Sequence, residues 1–369
     1  MFKNKQNPTM NELIKWFQVT QPKLTKDMES CTHHYKDSIN PYHIEGQIWT
    51  HLMMVCKVAE LYNATKINKI VALLHDIGKP KSLEIDNEKQ RTFFKGHEGI
   101  SFWLAIEILN NLQKEIELSD EEKSEILNAI SLHGTLFNHI KDGMEYKPEK
   151  LVSKFRDIED YYTLVNQVKY DSLGRFGDEF SKKEDTLRLG KDIFNEDTFL
   201  KYTSNEPIIN KSKNITLLTG LPSSGKSTYI KNNIKDEVVI SRDDTMMDYI
   251  YKIDDNMNYN QAWKYLTEND LHKEIDKLVQ KKFQKAVKDR ENIIIDMTNL
   301  SIKSRRKWLH SIPKDYHKKS IIFCTSLETI KQRASERKGK FIHDNVYLGM
   351  MRSFTVPCYD EFDEILWKF

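Results

Sequence analysis

The sequence predicts a two-domain protein, an all-α domain followed by an α/β P-loop domain with a parallel sheet. Three observations predict it. At 369 residues the chain is long for one hydrophobic core. Its first part carries apolar residues at three- and four-residue intervals, whereas its second part carries short apolar runs between longer helical stretches. Between the two lies 201–213 (KYTSNEPIINKSK), polar, interrupted by Pro207 and without a clear period, which reads as a linker. The expected domains are therefore 1–200 and 214–369.

In the first domain the helical period covers 48–61, 67–74, 100–112, 121–132 and 161–173. In the second, 215–219 (ITLLT), 238–240 (VVI), 293–295 (III) and 321–324 (IIFC) suit parallel strands buried on both faces. Composition removes other classes. Hydrophobic residues at 39% exclude wholesale disorder, and a mean hydropathy of −0.64 with no apolar run near ~20 residues excludes a membrane-spanning helix. The N-terminal stretch has no secretory pattern, and Cys31, Cys56, Cys324 and Cys358 are too scattered for a disulfide framework. A cytoplasmic protein with reduced thiols is expected. A net charge of +2 gives no global attraction to nucleic acid, so any basic patch must be local.

Residues 220–227 read GLPSSGKS, a complete G-x-x-x-x-G-K-S between a strand run and a helical one. Backbone amides of Gly220, Ser223, Ser224, Gly225, Lys226, Ser227 and Thr228 are the expected cradle for ATP or another nucleoside triphosphate. Lys226 is expected on the β- and γ-phosphates and the Ser227 hydroxyl on Mg²⁺. Three later features bear on the acceptor. Ser241-Arg242-Asp243-Asp244 places carboxylates at a strand's C-terminal end, making Asp243 either a general base or the N-cap of the next helix. Asp296-Met297-Thr298-Asn299-Leu300 lies at the next strand end and precedes the basic Arg305-Arg306-Lys307. In KQRASERKGK (331–340), Arg333 and Arg337 are spaced to share a helical face, either as a lid over the transferring phosphoryl group or as a solvated basic helix.

GLPSSGKST, SRDD, the TNL stretch with its RR.W, and the paired arginines resemble, in that order, the phage-type 5′-polynucleotide kinase domain over about 214–356. The resemblance implies transfer of the γ-phosphate to a polynucleotide 5′-OH, with Asp243 as base and Arg333 and Arg337 in a lid. One position departs. Three residues beyond Asp243, where the family commonly has an acceptor-binding arginine, this chain has Met246. Arg242 or the Arg305/Arg306 pair are the expected substitutes.

In the first domain His75-Asp76 closes an apolar helical run, and His51, His97, His133 and Asp171 are spread around it. Imidazole and carboxylate together suit divalent transition metals, which acidify bound water. The order H…HD…H…H…D, with IWTHLMMV, LLHDIGKPKS and FKGHEGIS, resembles the HD phosphohydrolase superfamily and especially the HD domains attached to tRNA nucleotidyltransferases. The resemblance implies His51, His75, Asp76 and Asp171 as ligands of one metal and His97 and His133 as ligands of a second. Mn²⁺, Co²⁺, Ni²⁺ or Fe²⁺ suit the mixed donors better than Mg²⁺. Lys79 is a phosphate contact or an exposed turn lysine, and His33, His34 and His43 are further substrate contacts.

Together the halves resemble the bacterial HD-domain–polynucleotide kinase fusion proteins. That implies a bifunctional RNA end-healing enzyme, phosphorylating 5′-OH ends and clearing 2′,3′-cyclic phosphate and 2′- or 3′-monophosphate ends, with a separate RNA ligase as partner. Two other readings remain open here: an HD nucleotide phosphohydrolase fused to a small-molecule kinase, and a nucleotide-responsive signalling module. The oligomeric state has no signature in the sequence.

Overall fold

The computed structural model describes residues 1–139, 148–179, 199–201, 211–337 and 339–369. The chain divides into two units, Met1–Glu206 with Met351–Val356, and Pro207–Met350 with Pro357–Phe369. Most of the linker expected at 201–213 lies outside the described residues.

The first unit is helical. Its elements are α1 (Met10–Thr20), α2 (Pro22–Ser30), α3 (Ile48–Leu61), α4 (Lys66–Leu74), the single turn α5 (Lys79–Ser82), a hairpin of β1 (Glu84–Asp86) and β2 (Arg91–Phe93), then α6 (His97–Leu112), α7 (Asp120–His139), α8 (Pro148–Val152) and α9 (Ile158–Leu173). Local chemistry sets several starts. Thr9 and Glu12 form a reciprocal capping box at α1, and the Thr65 and Asp157 side chains accept amide hydrogen bonds at the starts of α4 and α9. The amphipathic helix α4 packs on α3, α7 and α9. By contrast α6 is buried nearly all round, from Ile100 and Phe102 to Leu109 and Leu112.

The second unit holds five parallel strands in the order β4-β5-β3-β6-β7. Its elements are β3 (Lys213–Thr219), α10 (Lys226–Asn233), β4 (Val238–Ser241), α11 (Arg242–Ile250), α12 (Tyr259–Glu268), α13 (His272–Lys288), β5 (Ile293–Asp296), α14 (Ile302–Leu309), β6 (Tyr316–Phe323), α15 (Leu327–Glu336), α16 (Asp344–Arg352) and β7 (Glu364–Lys368). Ile215, Leu217, Ile240, Ile293 and Ile295 share one core with Phe283 and Trp308 from the helices. The register pairs Leu218 with Asp296 and Asp296 with Ser241. The carboxyl ends of β3, β5 and β4 therefore form one row, the usual ligand edge of an open parallel sheet.

The segment Met351–Val356 differs from the unbroken 214–369 expected. It belongs to the first unit, where the Phe354 ring lies 4.3 Å from Phe102 and 5.3 Å from Trp103, and the Val356 amide donates to Ser131 Oγ at 3.2 Å. Burial of those apolar side chains overrides sequence order. Among the described residues no helix is long and apolar enough to cross a membrane.

Candidate active sites

Five elements of the first unit each deliver polar side chains to one cleft. His51 sits in the first turn of α3, His75 caps the C-terminus of α4, Asp76 follows it, His97 opens α6, His133 lies on α7 and Asp171 on α9. Gly78 allows the turn after Asp76 to press on α6. A Cβ there would lie 2.4 Å from the His97 carbonyl oxygen and 2.6 Å from the Ser101 amide. Asp76 is the hub. Its Oδ1 is 3.2 Å from His97 Nε2 and 3.6 Å from His133 Nε2; its Oδ2 is 3.3 Å from His75 Nε2 and 3.6 Å from His51 Nε2. His51 Nε2 is also 3.0 Å from Asp171 Oδ1.

The other nitrogen of each ring is tied down. Nδ1 of His75, His97 and His133 donates to the carbonyl three residues earlier, Ala72, Phe94 and Ile130, at 3.0, 2.8 and 2.7 Å. His51 Nδ1 donates to Glu45 Oε1 at 3.0 Å. Each Nε2 of a neutral ring is thereby left with a lone pair, the tautomer metal-binding histidines adopt. His97 and His133 even face each other Nε2 to Nε2 at 3.1 Å. His51 Nε2, His75 Nε2 and both Asp76 oxygens are shut off from solvent. The ligand atoms of His51, His75 and Asp171, and of Asp76, His97 and His133, fall into two groups compact enough to hold one cation each. The donor set fits divalent metals.

Electrostatics point the same way. Burial opposes charge on Asp76, yet His75 and Lys79 hold its carboxyl well below the usual range. Burial likewise opposes charge on Asp171, and the His51 hydrogen bond overcomes it. Against burial, Asp171 and then Glu45 raise His51 to about 9.

The cleft, roughly 550 Å³ and open to solvent, is lined by His43, Asp76, Lys79, His97, His133, Asp171 and Arg175. Lys79 is not an exposed turn lysine: it is buried, with Nζ 2.6 Å from Asp76 Oδ2 and 3.5 Å from His33 Nε2. His33 and His43 stack with ring centroids 3.7 Å apart. Sequence reasoning missed Glu45. Its Oε1 accepts from both His43 and His51, and its Oε2 accepts the Phe176 amide at 3.0 Å. A lone glutamate in an irregular segment carries no spacing signal.

In the second unit, β3 runs into the 220–225 loop and then α10. Ser223 and Gly225 take positive φ, 62° and 102°, and Gly225 caps α10 so that its amides open into the loop. Lys226 is buried, its Nζ donating to the carbonyls of Gly220 at 2.9 Å and Leu221 at 2.8 Å. Burial lowers it to about 8, with Asp296 the main opposing influence. Asp296 is itself raised by burial, Lys226 working against the shift and Asp244 and Asp243 with it. Ser227 and Thr228 are exposed at the mouth.

Ser241, not Asp243, caps α11, its hydroxyl accepting from the Asp244 amide. Asp243 is thereby released from capping. Its Oδ1 accepts from the Tyr259 hydroxyl at 3.0 Å and its Oδ2 pairs with Lys340 Nζ at 2.5 Å. The sequence signalled neither partner. Arg333 reaches the phosphate loop, since a Cβ on Gly225 would meet its Nη1 at 3.5 Å. Arg337 does not share a helical face with it, because α15 ends at Glu336 and Arg337 is an extended C-cap residue. Its charge nevertheless acts on Lys226 and Tyr259.

One expected acceptor contact needs correction. Arg305 is fully buried, its Nη2 2.6 Å from Glu361 Oε2 and its Nη1 donating to the Asn299 and Leu300 carbonyls. Successive residues on a helix point about 100° apart, so only Arg306 of the pair faces solvent. Met246 is a core residue, so its position offers no acceptor contact. Arg242 donates to Asp276 through Nε at 2.8 Å and lies over the Trp263 ring at 5.1 Å.

The fold and the two clefts describe a helical domain with a cluster of candidate metal ligands, followed by an α/β domain consistent with a P-loop kinase. The HD domain family model matches residues 48–164 and the AAA domain family model matches residues 215–357. A protein of Autographa californica nuclear polyhedrosis virus, provisionally named a bifunctional polynucleotide kinase/RNA ligase, is 33% identical over 134 residues. That match covers 35% of this chain and 19% of the viral protein, so the chain spans about a fifth of its relative. A chain of the solved Pnkp1/Rnl/Hen1 complex is similar over 38% of this chain and 44% of its own length, at 22% identity and a TM-score of 0.27.

Proposed function

We propose that the protein heals RNA ends, its kinase domain phosphorylating 5′-OH termini and its HD domain clearing 2′,3′-cyclic phosphate and 2′- or 3′-monophosphate termini. One observation carries the reading: a triphosphate cradle with a released carboxylate, and a cleft of inward-facing imidazole and carboxylate donors, are encoded in one chain. Many RNA cleavages leave a 5′-OH and a cyclic phosphate, and each domain's chemistry suits one of these ends. The provisional name of the viral relative supports a polynucleotide acceptor.

In the kinase, Lys226 leaves the Gly220 and Leu221 carbonyls for the β- and γ-phosphates, where its charge is better compensated. Ser227 and Asp296 would hold the Mg²⁺ of the nucleotide. The acceptor 5′-oxygen attacks the γ-phosphorus as the bond to the leaving diphosphate breaks, and its proton passes to Asp243. Tyr259 and Lys340 fix that carboxylate, while Arg333 and Arg337 balance charge on the transferring group.

In the HD domain, His51, His75, Asp76 and Asp171 would hold one divalent cation and Asp76, His97 and His133 a second, from Mn²⁺, Co²⁺, Ni²⁺ or Fe²⁺. When bound, such cations supply a Lewis acid for a phosphoryl oxygen and an acidified water. Lys79 places its charge beside Asp76 for a substrate phosphate oxygen. One water added across a ring P–O bond gives a monophosphate, and a second releases inorganic phosphate and the free hydroxyl. A separate RNA ligase would then join the healed ends.

The test is an RNA bearing 5′-OH and 2′,3′-cyclic phosphate ends, with both ends read after incubation. Lys226→Ala should lose 5′ phosphorylation alone, and Asp76→Ala 3′-end hydrolysis alone. Transfer to free nucleosides but to no oligonucleotide would overturn the polynucleotide reading, and full hydrolysis by metal-stripped protein would overturn the metal site.

A further inference from the structure

The two residues that hold Asp243 belong to segments that also display large aromatic rings. Tyr259, which donates to Asp243, begins α12, and Trp263 lies one turn later with the rings near-parallel, 22° apart in plane and 6.3 Å between centroids. Lys340 sits 3.8 Å above the Tyr259 ring, and the next residue is Phe341. The segments adjoin, since the Asn260 amide donates to the Gly339 carbonyl at 3.1 Å and the Phe341 amide to Asn260 Oδ1 at 3.4 Å. Trp263 is 43% exposed and Phe341 67%. Rings of this size ordinarily seek the core, and here two stand in solvent on the segments that supply the partners of Asp243. Arg242, adjacent to Asp243 in sequence, lies against Trp263, with its Nε on Asp276 and its Nη1 buried.

We infer that Trp263 and Phe341 form a stacking subsite for the unpaired nucleobases at the acceptor's 5′ end. This rests on the polynucleotide reading of the kinase. The subsite offers the acceptor a hold without an arginine at position 246, because ring faces grip any base. Ring stacking of this kind tolerates sequence but requires bases free of a duplex partner.

The experiment compares a single-stranded 5′-OH oligonucleotide with the same chain made abasic at its first two nucleotides. Trp263→Ala and Phe341→Ala should each raise KM for the base-bearing chain by about 10- to 100-fold, the range of alanine substitution at a stacked base. Their KM for the abasic chain should match that of the wild type, and KM for ATP should stay unchanged. Trp263→Phe and Phe341→Tyr should restore most of the binding, which guards against a folding defect. Equal KM increases on both chains, or an effect confined to ATP, would overturn the subsite while leaving the kinase reading intact. No transfer to either chain by the wild type would overturn that reading and the subsite with it.

Discussion

Glu45 offers the sharpest test of how the HD cleft is held together. Its buried carboxylate accepts three hydrogen bonds, from His43 and His51 at Oε1 and from the Phe176 amide at Oε2. It so joins the segment before α3, the first turn of α3 and the chain after α9. Burial would raise its pKa, but the hydrogen bonds from His43 and His51 draw it well below the usual range, so it is charged. Glu45→Ala removes the acceptor that sets the His51 tautomer. Loss of such an outer partner costs about 10- to 100-fold in metal affinity. Each hydrogen bond to a charged group is worth roughly 1.5–3 kcal/mol, and relaxation and water recover part of the total. A net destabilisation of about 3 kcal/mol would lower the melting temperature of a unit this size by about 6–12 °C. Glu45→Gln keeps an accepting oxygen without the charge and should fall between. The assays are elemental analysis of dialysed protein and thermal melting with and without added Mn²⁺. Metal content and melting temperature equal to wild type in Glu45→Ala would refute the reasoning.

Two further predictions follow from buried charge. Arg305→Ala strands Glu361 in the core of the kinase domain and should destabilise that domain by about 3–5 kcal/mol. Arg306→Ala, on the exposed face, should leave its denaturation midpoint within error. Asp160 is raised from 3.8 to about 7, by burial first and then by Asp157 and Glu125. Between those values the folded state holds more protons than the unfolded, so HD-domain stability falls as pH rises from about 4 to 7. Asp160→Asn should flatten that slope and stabilise the domain at pH 8 by about 1–2 kcal/mol after solvent screening, as read from melting curves across pH. An unchanged slope would place the titration elsewhere.

The sequence by itself determined the two domains' classes and much of their interior. Helix α3 begins and ends at the residues its apolar period marks, and the P-loop was legible because its glycines, lysine and serine are neighbours in the chain. Periodicity and contiguous motifs are local, and local signals survive in a linear string. Only the tertiary structure decided what depends on chain segments meeting. It brought Glu45 under His51 and His43, and Lys340 and Tyr259 onto Asp243, across separations of up to 97 residues. It also turned Arg305 inward to Glu361 and placed Met246 in the core, because a helix offers adjacent residues opposite environments. Phe354 joined the helical unit on the strength of its packing with Phe102 and Trp103. Tautomers, buried ion pairs and partners for a strand-end carboxylate are properties of a three-dimensional neighbourhood, since burial and distance set their energies and neither is written in the order of residues.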